Sequence, residues 1–240
     1  MPTGTTRSRS DLKKRVDYFF GSTTSHRREI THTLKGLSEL GRVIVFGGAI
    51  RDMALRGTRE PPSDIDVVLE SAGPEDVESF MSTIGATRNR FGGFRFSTSR
   101  WKFDVWRLED TWALRNHLVH GASGEALLKT TFFDWDAVAY DFSNRKLLVS
   151  DGYFERLERR IIDINLPDNP NPIGNARRAL RIFVSGNAAL SPRLADFVVK
   201  TLATEGGAED SFFQDFLRQY ECANGKPVCK RMEQLPLDEV

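Results

Sequence analysis

Two aspartates lie one residue apart at the start of a predicted strand. Asp64 precedes the run IDVVL (65–69) and Asp66 lies within it; the run is rich in β-branched residues and predicts a buried strand. Because side chains alternate along a strand, both carboxylates are expected on one face, while Ile65 and Val67 point into the core. Neighbouring carboxylates repel each other unless a cation lies between them, and Mg²⁺ prefers oxygen ligands together with substrate phosphates.

A third aspartate, Asp104, lies in another predicted strand, WKFDVWRL (101–108). Two cations held by three carboxylates can lower the pKa of an attacking hydroxyl and neutralise a pyrophosphate leaving group. This set predicts in-line phosphoryl transfer, in which positioning and charge stabilisation account for most of the catalysis. We therefore expect Asp64, Asp66 and Asp104 to be the catalytic and metal-binding residues, with two Mg²⁺ ions as the cofactor and Mn²⁺ as a substitute.

A Gly–Gly turn precedes the aspartates. The run VIVF (43–46) predicts a buried strand that leads into Gly47 and Gly48, and AIRDMALR (49–56) predicts a helix directly behind them. Glycines let the backbone approach a ligand closely, and the free N–H groups of a helix start suit phosphate oxygens. Arg51, one turn into this helix, is expected either to contact a triphosphate or to form an ion pair that ties the helix to the sheet.

The elements around these residues predict a mixed sheet followed by helices. Apolar residues at spacings of three and four predict helix from about residue 11 to 40, and Pro with acidic residues opens another at 74–85. The other predicted strands are 86–91, 93–99, 136–140 and 146–150, and the other predicted helices are 109–130, 173–186, 192–203 and 208–220. Three prolines and three asparagines at 165–172 mark a domain boundary.

The composition is that of an ordinary globular protein, with 40% hydrophobic and 28% charged residues among 240. The 34 Lys and Arg residues balance the 33 Asp and Glu residues, so the net charge of +1 excludes a polycation that holds nucleic acid by bulk charge. No apolar run approaches the ~18 residues of a membrane span, and the start lacks the apolar stretch of a signal peptide. With Cys222 and Cys229 as the only cysteines, we expect no disulfide framework and a cytoplasmic location.

The motif GGAIRD, followed by DID, resembles the signature of the polymerase-beta-like nucleotidyltransferases. It is most similar to the bacterial-type (class II) tRNA CCA-adding enzymes and bacterial poly(A) polymerases, in which a third acid follows on a later strand; Asp104 occupies that place here. Three further segments resemble family motifs in the expected order: FFDWDAVAYDF (132–142), DGYFERLERRII (151–162) and NARRALRI (175–182).

The resemblance implies an α+β catalytic head, a mixed sheet flanked by helices, followed by a small helical neck. Residues 1–24 would be a flexible start with the beginning of the first helix, 25–165 the head, 166–223 the neck and 224–240 a tail. The resemblance places nucleotide contacts at seven positions: Gly47, Gly48, Arg51, Asp52, Asp136, Arg178 and Arg181. The arginines of the neck helix could equally be its solvated side.

Several family positions differ in this chain. Thr131 and Phe132 stand where the family has an Arg-Asp pair, and Asp136 stands where Asn is usual. The E-D-x-x-R motif that selects CTP or ATP is absent from the neck, with Asn175 at the place of its arginine, and little chain follows the neck. We therefore expect nucleotidyl transfer without CCA addition and with weak discrimination among NTPs.

The expected partners are an NTP and an acceptor hydroxyl. The resemblance favours an RNA 3′ end, including that of a tRNA. Because the sequence has no long apolar run, we expect no association with membranes. Two alternatives stay open: a nucleotidyltransferase that acts on a small molecule or a protein, and a catalytically inactive relative that binds nucleotide or RNA.

Overall fold

The protein is described by a computed structural model that covers residues 4–58, 64–204 and 211–230. Within these ranges, no helix combines the length and the hydrophobicity that a membrane crossing requires. The chain divides into two compact units, Met1–Arg159 with Asn165–Asn169 and Arg160–Ile164 with Pro170–Val240.

The first unit contains a seven-stranded mixed sheet. Its strands are β1 (Arg42–Phe46), β2 (Asp64–Glu70), β3 (Thr87–Arg88), β4 (Phe94–Ser97), β5 (Lys102–Arg107), β6 (Val138–Asp141) and β7 (Lys146–Val149). Their order across the sheet is β3-β4-β5-β2-β1-β6-β7. Strand β2 pairs with β5 in parallel, whereas the other neighbouring strands pair antiparallel. The parallel pair needs a crossover connection, which the chain between residues 71 and 101 supplies.

Seven helices are described in this unit: α1 (Arg9–Phe20), α2 (Ser25–Leu37), α3 (Gly48–Arg56), α4 (Pro74–Thr83), α5 (Trp112–Arg115), α6 (Gly124–Leu127) and α7 (Tyr153–Arg159). The Ser8 hydroxyl caps α1 by accepting a hydrogen bond from the N–H of Asp11. Helix α1 ends at Gly21. A Cβ at that position would lie 2.8 Å from the carbonyl oxygen of Asp17, which is why glycine suits it.

The two faces of the sheet are buried by different elements. On one face, Val45 lies in register with Val67 and Tyr140, and all three are buried. The ring of Phe20 from α1 stacks on Tyr140 with centroids 5.4 Å apart, and the Tyr140 hydroxyl donates a 2.6 Å hydrogen bond to Asp17. The other face carries a second apolar cluster: Ile44, Val68, Leu108, Leu127, Leu128, Ala137, Ala139 and Leu148.

The second unit is mainly helical. Its helices are α8 (Pro172–Val184), α9 (Pro192–Thr204) and α10 (Ser211–Ala223), and a short parallel pair is formed by β8 (Ile161–Ile162) and β9 (Ala189–Leu190). The Asn171 side chain caps α8 by accepting from the N–H of Gly174. Phe183 and Phe216 pack edge to face with centroids 5.1 Å apart, which joins α8 to α10.

The predicted α+β class, a mixed sheet flanked by helices with further helices at the C-terminal end, is confirmed. Three segments differ from the sequence prediction. The helix predicted over about 11–40 is two helices separated by a turn at Gly21, and the start is not loose throughout, since Thr6 is buried. The helix predicted at 109–130 is a 3₁₀ turn and the two short helices α5 and α6.

A buried ion pair joins three strands on the side of the second cluster. Arg42 of β1 donates from Nε and Nη2 to Asp141 Oδ2 at 2.9 and 2.7 Å, and it also pairs with Glu70 of β2. Asp141 is fully buried and accepts two further hydrogen bonds of 2.9 Å from Asn144. Burial alone would raise the pKa of Asp141, but the hydrogen bonds from Arg42 and Asn144 outweigh burial and hold the pKa below its usual value.

Replacement of Asp141 by Asn should lower the free energy of unfolding at pH 7 by about 2–3 kcal/mol, because it removes the buried one of the two carboxylates that pair with Arg42 and weakens the hydrogen bonds from Asn144. A carboxyl with a depressed folded pKa stabilises fully above its ordinary pKa near ~4, and that stabilisation is lost as the pH falls through the folded value. The deficit of Asp141→Asn should therefore shrink below about pH 4. Urea unfolding at pH 7 and below about pH 4 measures this deficit in the free energy of unfolding. The control is Glu109→Gln, which removes an exposed carboxylate beside Arg107. Equal deficits in both variants, or a deficit independent of pH, would contradict the assigned role.

Candidate active site

The parallel pairing of β2 with β5 brings the three predicted aspartates to one face of the sheet. Asp64 is exposed, Ile65 is buried and Asp66 is half-buried, so the two aspartates share the face opposite Ile65. The register sets Asp66 directly opposite Asp104. We call Asp64, Asp66 and Asp104 the acidic row.

The acidic row continues across the sheet on both sides. Asp66 is paired with Phe46 of β1, and Phe46 with Ala139 of β6, so the row runs into the second apolar cluster in that direction. In the other direction, Asp104 is paired with Arg95 of β4. The carboxylates therefore lie between an apolar end of this face and a single arginine.

Arg95 binds the third carboxylate with two of its guanidinium nitrogens. Arg95 Nε lies 2.9 Å from Asp104 Oδ1, and Nη2 lies 2.7 Å from Oδ2. Asp104 is only 7% exposed, whereas the Arg95 side chain is 61% exposed. Hydrogen bonding to Asp104 raises the pKa of Arg95, and the charges of Asp64 and Asp66 add to this effect. The guanidinium thus lies within the field of all three aspartates.

The acidic row matches Mg²⁺ in donor chemistry, since carboxylate oxygens are the ligands that this ion prefers. Across the described ranges, however, no three His, Cys, Asp or Glu side chains are close enough together to hold a metal ion. At this site, both oxygens of Asp104 are bonded to Arg95. Asp64 and Asp66 still fit a cation, because Mg²⁺ is commonly held by one or two carboxylates together with substrate phosphates. Asp104 is paired with Arg95 instead.

The Gly–Gly turn lies beside Asp66. Gly47 has φ 69° and ψ −128°, a conformation that residues with a Cβ rarely adopt, and its N–H donates to Val138 at 2.9 Å. A Cβ at Gly47 would lie 4.0 Å from Asp66 Oδ2, so the backbone itself borders the carboxylate. Helix α3 begins at Gly48, and its first turn has no side-chain cap. The free N–H groups at the start of α3 can therefore bind an anion, such as a phosphate, in the neighbourhood of Asp66.

Arg51 is held by two carboxylates. Its Nη1 lies 2.5 Å from Asp136 Oδ1 and its Nε lies 2.9 Å from Asp52 Oδ1, and the side chain is 18% exposed. Burial would lower the pKa of Arg51, but the charges of Asp136 and Asp52 outweigh burial and raise it. The ion pair foreseen from the sequence is present, and Asp136 extends it to the turn before β6. Contact of Arg51 with phosphate stays a prediction.

The predicted neck arginines lie on α8 of the second unit. Arg178 is half-buried and Arg181 is exposed on that helix. The nucleotide contacts predicted for both stay predictions.

Sequence reasoning missed Arg95, although its signal was present. The hairpin predicted from 93–99 and 101–108 places residues of the first strand opposite those of the second, and Arg95 is the one basic residue within GFRFS. Aligning the two strands about their turn would have set Arg95 against Asp104. The second polar neighbour, Asn89, has its Nδ2 3.5 Å from Asp104 Oδ1 and could not be foreseen, because it depends on the conformation of the β3–β4 turn.

Comparison with known proteins gives matches in structure only. No protein-family model matches the sequence, and no curated protein matches it. A CCA-adding enzyme in complex with ATP matches with a TM-score of 0.51 and 19% identity over 82% of this chain and 47% of that one. A CCA-adding enzyme with CTP gives 0.50 and 21% over 88% and 49%.

A third match is a tRNA nucleotidyltransferase complexed with a primer tRNA and an incoming ATP analog, with a TM-score of 0.50 and 19% identity over 80% of this chain and 61% of that one. The chain thus spans between 47% and 61% of the length of these three enzymes. The shared part is the α+β sheet with the helices that follow it. This chain therefore has the fold of the head and neck of class II CCA-adding tRNA nucleotidyltransferases.

Proposed function

We propose that this protein is a metal-dependent nucleotidyltransferase. It transfers a nucleoside monophosphate from an NTP to a hydroxyl and releases pyrophosphate, and an RNA 3′ end, including that of a tRNA, is the favoured acceptor. The observation that carries the proposal is the register of Asp66 with Asp104 on one sheet face beside the Gly47 turn. The fold shared with CCA-adding enzymes supports the same reading of these residues.

The acidic row would hold the divalent cations, with Asp64 and Asp66 as the accessible ligands and Asp104 as the third. When bound, such ions lower the pKa of the acceptor hydroxyl and neutralise the leaving pyrophosphate. The chain's own part is positional. Strand β2 fixes the positions of the ligands Asp64 and Asp66. The backbone at Gly47 and Gly48 lies beside them and offers the N–H groups of a helix start.

The charge around the site explains why cations are needed. Five carboxylates and two guanidinium groups leave a formal charge of −3; they belong to Asp52, Asp64, Asp66, Asp104, Asp136, Arg51 and Arg95. An NTP brings about four more negative charges, which metal ions and N–H donors must offset. Without divalent cations this arrangement repels its substrate, so we expect NTP binding that depends on added Mg²⁺ or Mn²⁺.

Substitution of Asp64 or Asp66 by Ala should lower the rate of transfer by about 10²-fold or more, because it removes a cation ligand. The protein should still fold, because the substitution relieves repulsion between like charges. The assay incubates the protein with each labelled NTP, Mg²⁺ and total RNA, and follows label in RNA, protein and small molecules. Asp110→Ala is the matched control, because Asp110 is half-exposed and lies 3.5 Å from Arg107. Near-normal turnover of Asp64→Ala would refute the mechanism.

The same assay separates the alternatives. Label on protein or on a small molecule would identify another acceptor for the same chemistry. Absence of any transfer, together with metal-dependent NTP binding in calorimetry, would identify an inactive nucleotide-binding relative.

A second prediction concerns base choice. The residues PNPIGN at 170–175 lack the donor and acceptor set of the E-D-x-x-R motif, so hydrogen-bond selection of a base is not expected there. Competition among the four NTPs should therefore give incorporation ratios within about tenfold, since each missing bidentate contact removes ~1–3 kcal/mol of discrimination. Strict addition of CTP and then ATP would contradict this prediction and would identify CCA addition.

A further inference from the structure

The carboxylate of Asp104 is fully engaged by a side chain from the neighbouring strand. Antiparallel pairing of β4 with β5 places Arg95 opposite Asp104, and each carboxylate oxygen accepts one guanidinium hydrogen bond, of 2.9 and 2.7 Å. Asp104 itself is 7% exposed, while the Arg95 side chain is 61% exposed. The acceptor is thus fixed within the sheet, and the donor is a long side chain that can leave towards solvent.

A guanidinium and a divalent cation need the same oxygens of Asp104. The fork of an arginine matches a carboxylate with two parallel hydrogen bonds, which occupy one of the two lone-pair sites on each oxygen and reduce the negative charge that a metal ion would bind. Two positive groups on one carboxylate also repel each other. The pair with Arg95 and a cation bound to Asp104 therefore weaken each other.

We propose that Arg95 competes with the divalent cation for Asp104 and thereby sets the cation affinity of the acidic row. The inference rests on the proposed function, because that function makes the row a cation site. In the metal-free protein, Arg95 neutralises Asp104 and lowers the repulsion between Asp104 and Asp66. Cation binding weakens or breaks this pair, so the pair lowers the affinity for the cation by up to the free energy of the Arg95–Asp104 interaction. Arg95 is a positioning residue here, since it acts through Asp104.

Strand β3, which pairs with the other edge of β4, offers a matched control on the other face of the sheet. Arg88 of β3 lies opposite Phe94 in the register, so its side chain is on the face away from Arg95. It pairs with Glu78 of α4 and lies 4.7 Å above the ring of Phe94. Arg88→Gln removes one positive charge and one arginine–carboxylate pair from the same segment but leaves Asp104 paired.

The experiment titrates the full chain with Mn²⁺ in the absence of nucleotide and measures free Mn²⁺ by electron paramagnetic resonance. Arg95→Gln should bind Mn²⁺ about fivefold more tightly than wild type, which corresponds to the ~1 kcal/mol of a partly exposed ion pair. Arg88→Gln should stay within about twofold of wild type, because its charge is on the opposite face. The double variant Arg95→Gln/Asp104→Asn should bind no more tightly than Asp104→Asn alone.

A gain in affinity is a result that a merely structural role of Arg95 would not give, because loss of structure weakens binding. Thermal melting in a chelator checks that each variant is folded. The proposal is overturned if Arg95→Gln gains no more than Arg88→Gln, if the gain persists without Asp104, or if no variant binds Mn²⁺ at millimolar concentration. The transfer assay on the wild-type protein tests the proposed function separately. Transfer with unchanged Mn²⁺ affinity refutes Arg95 alone, whereas the gain without transfer refutes the proposed function alone.

Discussion

The parallel pairing of β2 with β5 is the constraint on which the rest of this site depends. It sets Asp66 opposite Asp104 on adjacent strands, where backbones lie only about 4.8 Å apart. Two carboxylates at that spacing repel each other strongly in a partly buried setting, so the fold must supply positive charge. Arg95 supplies it from the next strand. The crossover between residues 71 and 101 therefore does more than complete the sheet, since its hairpin carries the neutralising group.

Arg51, Asp52 and Asp136 form a second ionic centre behind the Gly–Gly turn in sequence. Arg51 connects α3 to the turn before β6 through Asp136. The positions where the family has its Arg-Asp pair are occupied differently here: Phe132 is buried and packs edge to face on Phe133, with centroids 4.8 Å apart. The carboxylate of Asp136 is also buried, and it is paired with Arg51.

The sequence predicted the fold class and most elements because their signals are local. Alternating and continuous β-branched runs indicate the strands β1, β2 and β5, and the periodic apolar residues of α8 to α10 indicate helices without any knowledge of their neighbours. The same local rule located Asp64 and Asp66 on one face. The stretch near 109–130 was predicted to be helical, but its interruption into two short helices was not, because these helices share a small apolar cluster of Ala113, Val119 and Ala126 rather than one continuous periodicity.

The pairings of the charged side chains could not be predicted in the same way. That Arg51 reaches Asp136, 85 positions away, follows from the adjacency of α3 and β6, which no local pattern encodes. The bond from Arg95 to Asp104 follows from the register of a hairpin, and a shift of one residue would have moved Arg95 to the other face. Residue types thus indicated which groups carry the chemistry, while strand register determined which of them are neutralised.

We propose that the acidic row beside Gly47 binds divalent cations and a triphosphate. Anomalous diffraction from crystals of the full chain grown with Mn²⁺ and a non-hydrolysable NTP tests it most directly. The account predicts a manganese peak in contact with Asp64 and Asp66 and a triphosphate at the start of α3. Nucleotide or manganese bound elsewhere, with the aspartates free of both, would contradict it.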